Sequence, residues 1–165
     1  MILKQKTELI TFIEGDTRCS FLPTGDIYEF TNDRFIMNGF QGNLMDGSVN
    51  NIYLRIYGTN GIEAYPLLGI RSGSALRAGE NCMDYSGTVN NISYTVCFCL
   101  AKDSIWFWKI DLEGNGQTVD VVYGQDIGVG EKGGVLTNEL YVSQYLDHAG
   151  AAFRRSKNTG AGAEF

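Results

Sequence analysis

ISYTVCFCL at residues 92–100 and IWFWKIDL at residues 105–112 decide the fold class. In the first, Ile92, Tyr94, Val96, Phe98 and Leu100 alternate with Ser93, Thr95, Cys97 and Cys99. In the second, Trp106, Trp108 and Ile110 fall on one face. Successive side chains of an extended chain point to opposite sides, so this alternation marks strands with one buried face. A helical stripe would recur every three to four residues, and no stretch of the chain does so strongly.

Working outward, IYLRIY at residues 52–57 alternates in the same way, and Gly58-Thr59-Asn60-Gly61 closes it with an Asn-Gly hairpin signal. The next strand is expected at 63–70, where Pro66 predicts an edge position or an irregularity. Upstream, strands are predicted at 8–13, 19–22, 27–30 and 34–40, with a Pro-Thr-Gly-Asp turn at 23–26 and a Gly- and Asn-rich loop at 40–51. Downstream, 72–81 is polar, 85–89 reads as a strand, Asn90-Asn91 as a tight turn and 119–123 as a further strand. About eight short strands joined by turns predict an all-β, antiparallel β-sandwich.

The chain has 165 residues, 44% of them hydrophobic, which suits one domain with a real core. The 21 glycines beside only 2 prolines fit a molecule with many turns between short strands. Residues 1–148 are expected to form the sandwich domain. Residues 149–165 carry no pattern and are expected to be a disordered or truncated tail. A net charge of −6 and a pI near 4.7 argue against nucleic acid as a partner, because phosphate backbones repel such a chain. No apolar run reaches the ~20 residues that cross a membrane. The opening MILKQKTELI is broken by Lys and Glu and does not read as a signal peptide, so the expected location is cytoplasmic.

The chemistry-bearing residues are sparse. Cys97 and Cys99 share one face of a strand, but the only histidine is His148, so Cys19, Cys82, Cys97 and Cys99 read as buried structural thiols and no metal is expected. A nucleophile needs a base held beside it, and Asp147-His148 at the edge of the patternless tail is a poor place for one. GQDIGVGEKGG at 124–134 has the composition of a phosphate loop without its spacing, and it reads as a flexible connection. TNELYVSQYLDH at 137–148 reads as a strand, with a helix capped by Thr137 as the alternative. The polar Gln125, Asp126, Asn138, Glu139, Gln144 and Asp147 interleave with Tyr123, Tyr141 and Tyr145. Planar amides and carboxylates read sugar hydroxyls, and aromatic rings stack on sugar C–H faces. Trp106 and Trp108 are expected in the core instead.

YGQDIGVGEKGGVLTNELYVSQYLDH at 123–148 resembles the N-terminal β-sandwich region of glycoside hydrolase family 94. The resemblance is to its members that act on β-1,2-glucans, the 1,2-β-oligoglucan phosphorylases and the cyclic β-1,2-glucan synthase region. YLRIYGTNGIEAYPLLGIRSGS at 53–74 and YTVCFCLAKDSIWFWKIDLEGNGQTVD at 94–120 fit the same pattern, whereas AGAAFRRSKNTGAGAEF at 149–165 departs from it. The resemblance implies a supersandwich of the galactose-mutarotase-like kind. It implies an enzyme that cleaves β-glucosidic bonds with inorganic phosphate, inverting the anomeric carbon to give α-glucose 1-phosphate. Phosphate is then a co-substrate, and no other cofactor or metal is implied. The general acid is an Asp of a separate, downstream (α/α)6 barrel, so no catalytic residue is carried over to this chain. The implied partners are that barrel, a β-glucan oligosaccharide and a second copy in a homodimer. Gln125, Asp126, Asn138, Glu139, Gln144 and Tyr145 are the implied substrate-binding positions, with a domain interface as the competing role for the same blocks. A stand-alone carbohydrate-binding module and an assembly domain are the alternative functions.

Overall fold

The computed structural model describes residues 8–114 and 116–137. The strands are β1 Ile10–Glu14, β2 Thr17–Phe21, β3 Ile27–Asn32, β4 Phe35–Ile36, β5 Asn51–Gly58, β6 Gly61–Pro66, β7 Ala75–Ala78, β8 Cys82–Val89, β9 Ile92–Ala101, β10 Ile105–Glu113, β11 Val119–Gly124 and β12 Gly130–Glu131. A short helix, α1, spans Lys132–Thr137. The strands form three sheets, ordered β1-β2-β3-β4-β12, β10-β9-β8-β7 and β11-β5-β6. The protein is an all-β sandwich, and the pairings within its sheets are antiparallel.

The alternating faces explain how the sheets meet. The inward residues of β9 are buried, and Trp106, Trp108, Ile110 and Leu112 of β10 pack against the same core. Phe98 meets Phe21 of the first sheet with ring centroids 4.9 Å apart, and Trp106 meets Phe30 at 5.5 Å. Trp108 reaches Tyr123 of the third sheet at 6.1 Å. The four-stranded sheet therefore backs onto both others, with edge-on ring pairs contributing about 0.5–1.5 kcal/mol each beyond simple burial. The two tryptophans pack on the core, as their alternation predicts.

Local chemistry accounts for the turns and for several departures. Asn90 and Asn91 both take positive φ, +47° and +64°, as a two-residue hairpin turn requires. The strand expected at 34–40 is cut to β4 because a side chain replaces the backbone ladder. Asn38 accepts the Phe30 N–H at 2.7 Å and donates to the Phe40 carbonyl at 2.6 Å. The strand expected at 63–70 stops at Pro66, after which Leu67 and Leu68 turn into the core. There the Asn51 amide mimics a strand, accepting the Leu68 N–H and donating to the Leu68 carbonyl, both at 3.1 Å. The polar stretch 72–81 holds β7, an edge strand whose solvated residues leave no alternation to read.

Two further expectations are corrected. Residues 124–134 are not a loose connection: β12 pairs with β4, and Lys132 N–H bonds the Arg34 carbonyl at 2.8 Å. Of the four thiols only Cys19 is buried; Cys82, Cys97 and Cys99 are half-buried on the outward face of the four-stranded sheet. The strand expected at 137–148 lies outside the described residues beyond Thr137, where α1 ends, and so does the tail at 149–165.

Buried Asp26 ties the loops at one end together. Its carboxylate accepts the Thr24 hydroxyl at 2.7 Å, the Ser48 N–H at 3.1 Å and the Ile70 N–H at 2.9 Å. Gly69 packs so closely that a Cβ there would overlap the Asp26 carboxylate. Among the described residues no helix is long and apolar enough to cross a membrane.

Candidate functional site

The described part of the predicted site is a seam, where residues 124–132 lie across the loop at 37–51. The segment is extended, so its residues alternate. Asp126, Gly128 and Gly130 turn toward the protein, while Ile127 and Val129 turn outward. Three contacts hold its inner side. Asp126 accepts the Phe40 N–H on Oδ2 at 2.7 Å and donates its own N–H to Asn50 Oδ1 at 2.5 Å. Gly128 N–H bonds the Met37 carbonyl at 3.1 Å. Gly128 must be glycine because a Cβ would sit 2.7 Å from the Cα of Gly39.

The anchor at the far end is electrostatic. Lys132 Nζ lies 2.5 Å from Glu29 Oε1, and Gln41 Nε2 donates to Glu29 Oε2 at 2.7 Å. Glu29 is buried on β3, so these two donors satisfy a carboxylate removed from water.

Asp126 therefore spends one carboxylate oxygen on holding backbone, while the other, Oδ1, is buried without a hydrogen-bond partner. Gln125 sits at the rim and accepts the Tyr123 hydroxyl at 2.8 Å. Burial raises the Tyr123 phenol above its ordinary range, partly offset by the neighbouring Trp108 N–H. Gln125 and Asp126 are thus adjacent but differently employed, one facing the rim and one pinning the seam. Asn138, Glu139, Gln144 and Tyr145 lie outside the described residues, as does His148.

Around the seam the loops carry exposed apolar side chains. Leu44, Met45, Val49, Ile70, Ile127 and Val129 are all exposed, Met45 to 89% and Ile127 to 69%. The loops are tied to one another through Asp26 and Asn50, so these residues belong to one connected end of the sandwich. Single exposed apolar residues are ordinary; here six stand exposed on loops that are joined by hydrogen bonds. Among the described residues no group of three or more His, Cys, Asp or Glu is placed to hold a metal.

Two polar features escaped the sequence reading. On the outward face of β5 and β11, Arg55 grips Asp120 through two nitrogens, at 2.7 and 2.5 Å, and Tyr57 donates to the same carboxylate at 2.7 Å. The Arg55 guanidinium, helped by the Tyr57 hydroxyl, holds Asp120 below the usual carboxylate range. A shallow groove of about 450 Å³ crosses the outward face of the four-stranded sheet, lined by Arg77, Asp84, Ser86, Thr95, Cys97 and Lys109 among others. Arg55 and Asp120 are 65 positions apart, and only the β5–β11 register brings them together.

With this geometry in place, two comparisons bear on the chain. The family model for the SOGP N-terminal domain matches residues 20–159. The chain is 30% identical over 135 residues to a 1,2-beta-oligoglucan phosphorylase of Listeria innocua. That match takes in 82% of the chain but only 12% of the relative, so the chain spans a small part of that protein's length.

Proposed function

We infer the function from one premise: the chain belongs to the SOGP N-terminal domain family. It is the non-catalytic N-terminal β-sandwich of a glycoside phosphorylase, an enzyme that splits β-glucosidic bonds with inorganic phosphate to give α-glucose 1-phosphate. The general acid and the phosphate site belong to an (α/α)6 barrel outside this chain. The sandwich supports that barrel, borders its β-glucan oligosaccharide site and takes part in a homodimer. A cytoplasmic location belongs to the same reading, because the co-substrate is phosphate and the product a phosphorylated sugar.

The observation that carries this reading is the apolar rim around Gln125 and Asp126. Leu44, Met45, Val49, Ile127 and Val129 stand exposed on loops that Asp126, Asn50 and Gly128 hold in one arrangement. A preordered apolar surface loses little freedom when a partner covers it. On this reading the rim seats the barrel, and Gln125, with Asn138, Glu139, Gln144 and Tyr145, approaches the sugar from the edge of that contact.

The test is reconstitution. The chain is co-expressed with the catalytic remainder of a related 1,2-beta-oligoglucan phosphorylase, and glucose 1-phosphate is measured on β-1,2-gluco-oligosaccharides. The expected result is no product from the chain alone, turnover with the barrel, and loss of both complex and turnover in Ile127→Asp/Met45→Asp. Product from the chain alone, or reconstitution that ignores the rim substitutions, overturns the reading.

A carbohydrate-binding module is the second reading, favoured by Tyr57 and Tyr53 flanking the Arg55–Asp120 pair on one outward sheet face. Saturable binding of β-glucan to the isolated chain, lost in Tyr57→Ala, supports it over the first.

A further inference from the structure

Three of the four cysteines lie on the outward face of the four-stranded sheet. Cys97 and Cys99 are two apart on β9, and Cys82 on β8 stands opposite Cys99. All three are half-buried, whereas Cys19 lies in the core, where burial pushes its thiol up to about 12. The Sγ atoms of Cys97 and Cys99 are 3.3 Å apart.

Proximity of sulfurs favours Cys97 with Cys99, but backbone geometry does not. A disulfide needs Cβ atoms about 3.5–4.5 Å apart. Residues two apart on an extended strand are separated by two rises of about 3.3 Å, so their Cβ atoms stand too far apart unless the strand buckles. Opposite residues of a non-hydrogen-bonded antiparallel pair have Cα atoms about 4.5 Å apart and their side chains close.

Cys82 and Cys99 are such a pair. The next pair along, Asn81 and Leu100, carries a backbone bond from Leu100 N–H to the Asn81 carbonyl at 3.0 Å. Bonded and non-bonded pairs alternate along an antiparallel ladder, which makes Cys82–Cys99 non-bonded. The other side agrees, because the Cys82 carbonyl points away toward β7 and accepts the Gly79 N–H at 2.8 Å.

We propose that this face is a thiol oxidation site, at which a peroxide joins Cys82 and Cys99 in a cross-strand disulfide. The thiolate of one cysteine attacks a peroxide oxygen and breaks the O–O bond, and the released hydroxide takes up the proton that the thiol gave up, leaving a sulfenic acid and one water. The second thiol then displaces hydroxyl from the sulfenic sulfur, the S–S bond forms and a second water leaves. Two thiols and one hydrogen peroxide thus give one disulfide and two waters. Cys97 stays a thiol: burial first, then the Asp84 carboxylate and Cys99, push it well above the ordinary thiol range. The bond clips the open end of the β8–β9 hairpin, whose other end is the Asn90–Asn91 turn.

The test uses the folded chain with hydrogen peroxide as the probe. Excess peroxide is quenched, free thiols are alkylated in denaturant, and the protein is digested without reduction for mass spectrometry. The expected product has lost two hydrogens, yields a peptide linking Cys82 to Cys99, keeps Cys19 and Cys97 alkylatable, melts higher than the reduced form and reverts with a dithiol reductant. Cys97→Ser should retain the link, and Cys99→Ser should abolish it. A Cys97–Cys99 link, oxygen addition without a link, an intermolecular link or an unchanged mass each overturns the proposal. The wild-type peptide map decides the matter even if a variant fails to fold.

Discussion

Replacing Lys132 tests whether the glycine-rich segment is anchored as described. The two partners of the Lys132–Glu29 pair are unequally placed: the Glu29 side chain is 8% exposed and that of Lys132 38%. Lys132→Met therefore leaves a buried carboxylate with only Gln41 as donor, whereas Glu29→Gln leaves an ammonium that water already reaches. Exposed ion pairs contribute up to about 1 kcal/mol, and breaking a fully buried one costs about 3–5 kcal/mol. This pair lies between those limits, so Lys132→Met should cost about 2–3 kcal/mol and Glu29→Gln about 1 kcal/mol. The double replacement Glu29→Met/Lys132→Met should recover much of the loss, because no charge is then left unpaired. Urea unfolding followed by the fluorescence of Trp106 and Trp108 gives the three values, with hydrogen exchange at Lys132 N–H reporting the segment itself. A Lys132→Met loss below about 0.5 kcal/mol, or equal losses for the two single variants, refutes the asymmetry and with it the anchor.

Three further predictions follow from the same structure. Gly128→Ala should cost about 1–3 kcal/mol and speed exchange along residues 128–132, since the new Cβ would press on Gly39 backbone that has no free rotation to yield; a change within about 0.5 kcal/mol rejects the close approach. Phe98→Ala should cost about 3–5 kcal/mol in thermal or urea unfolding, because Phe98 is fully buried against Phe12, Phe21, Phe30 and Trp108; a loss under about 1.5 kcal/mol means the sheets do not share this core. Asp120 has a lowered folded-state pKa, so its contribution is present above the ordinary Asp value of about 3.9 and is lost as pH falls toward the folded value. Asp120→Asn should flatten that acid part of the stability profile in urea midpoints measured downward from about pH 5, and identical acid slopes in the two proteins would count against the pairing.

The all-β class, the inward faces of β9 and β10, the packing of the two tryptophans on the core and the Asn90–Asn91 turn were all legible in the sequence. Each is a local matter, because alternation along a strand records which side of the chain is buried, and turn residues record which φ the backbone takes. Pro66 likewise signalled an irregular strand, and β6 ends on it. The candidate site was legible only in outline. Gln125 and Asp126 stood out as polar residues in a glycine-rich stretch, but nothing nearby in sequence shows that Asp126 pins Phe40 and Asn50, or that Gly128 presses on Gly39. The same holds for the Arg55–Asp120 pair, the Lys132–Glu29 anchor and the three outward thiols. All depend on register between distant strands or on where a loop crosses another. Such contacts are selected by the packing of the whole core and leave no periodicity behind, so only the tertiary structure decides them.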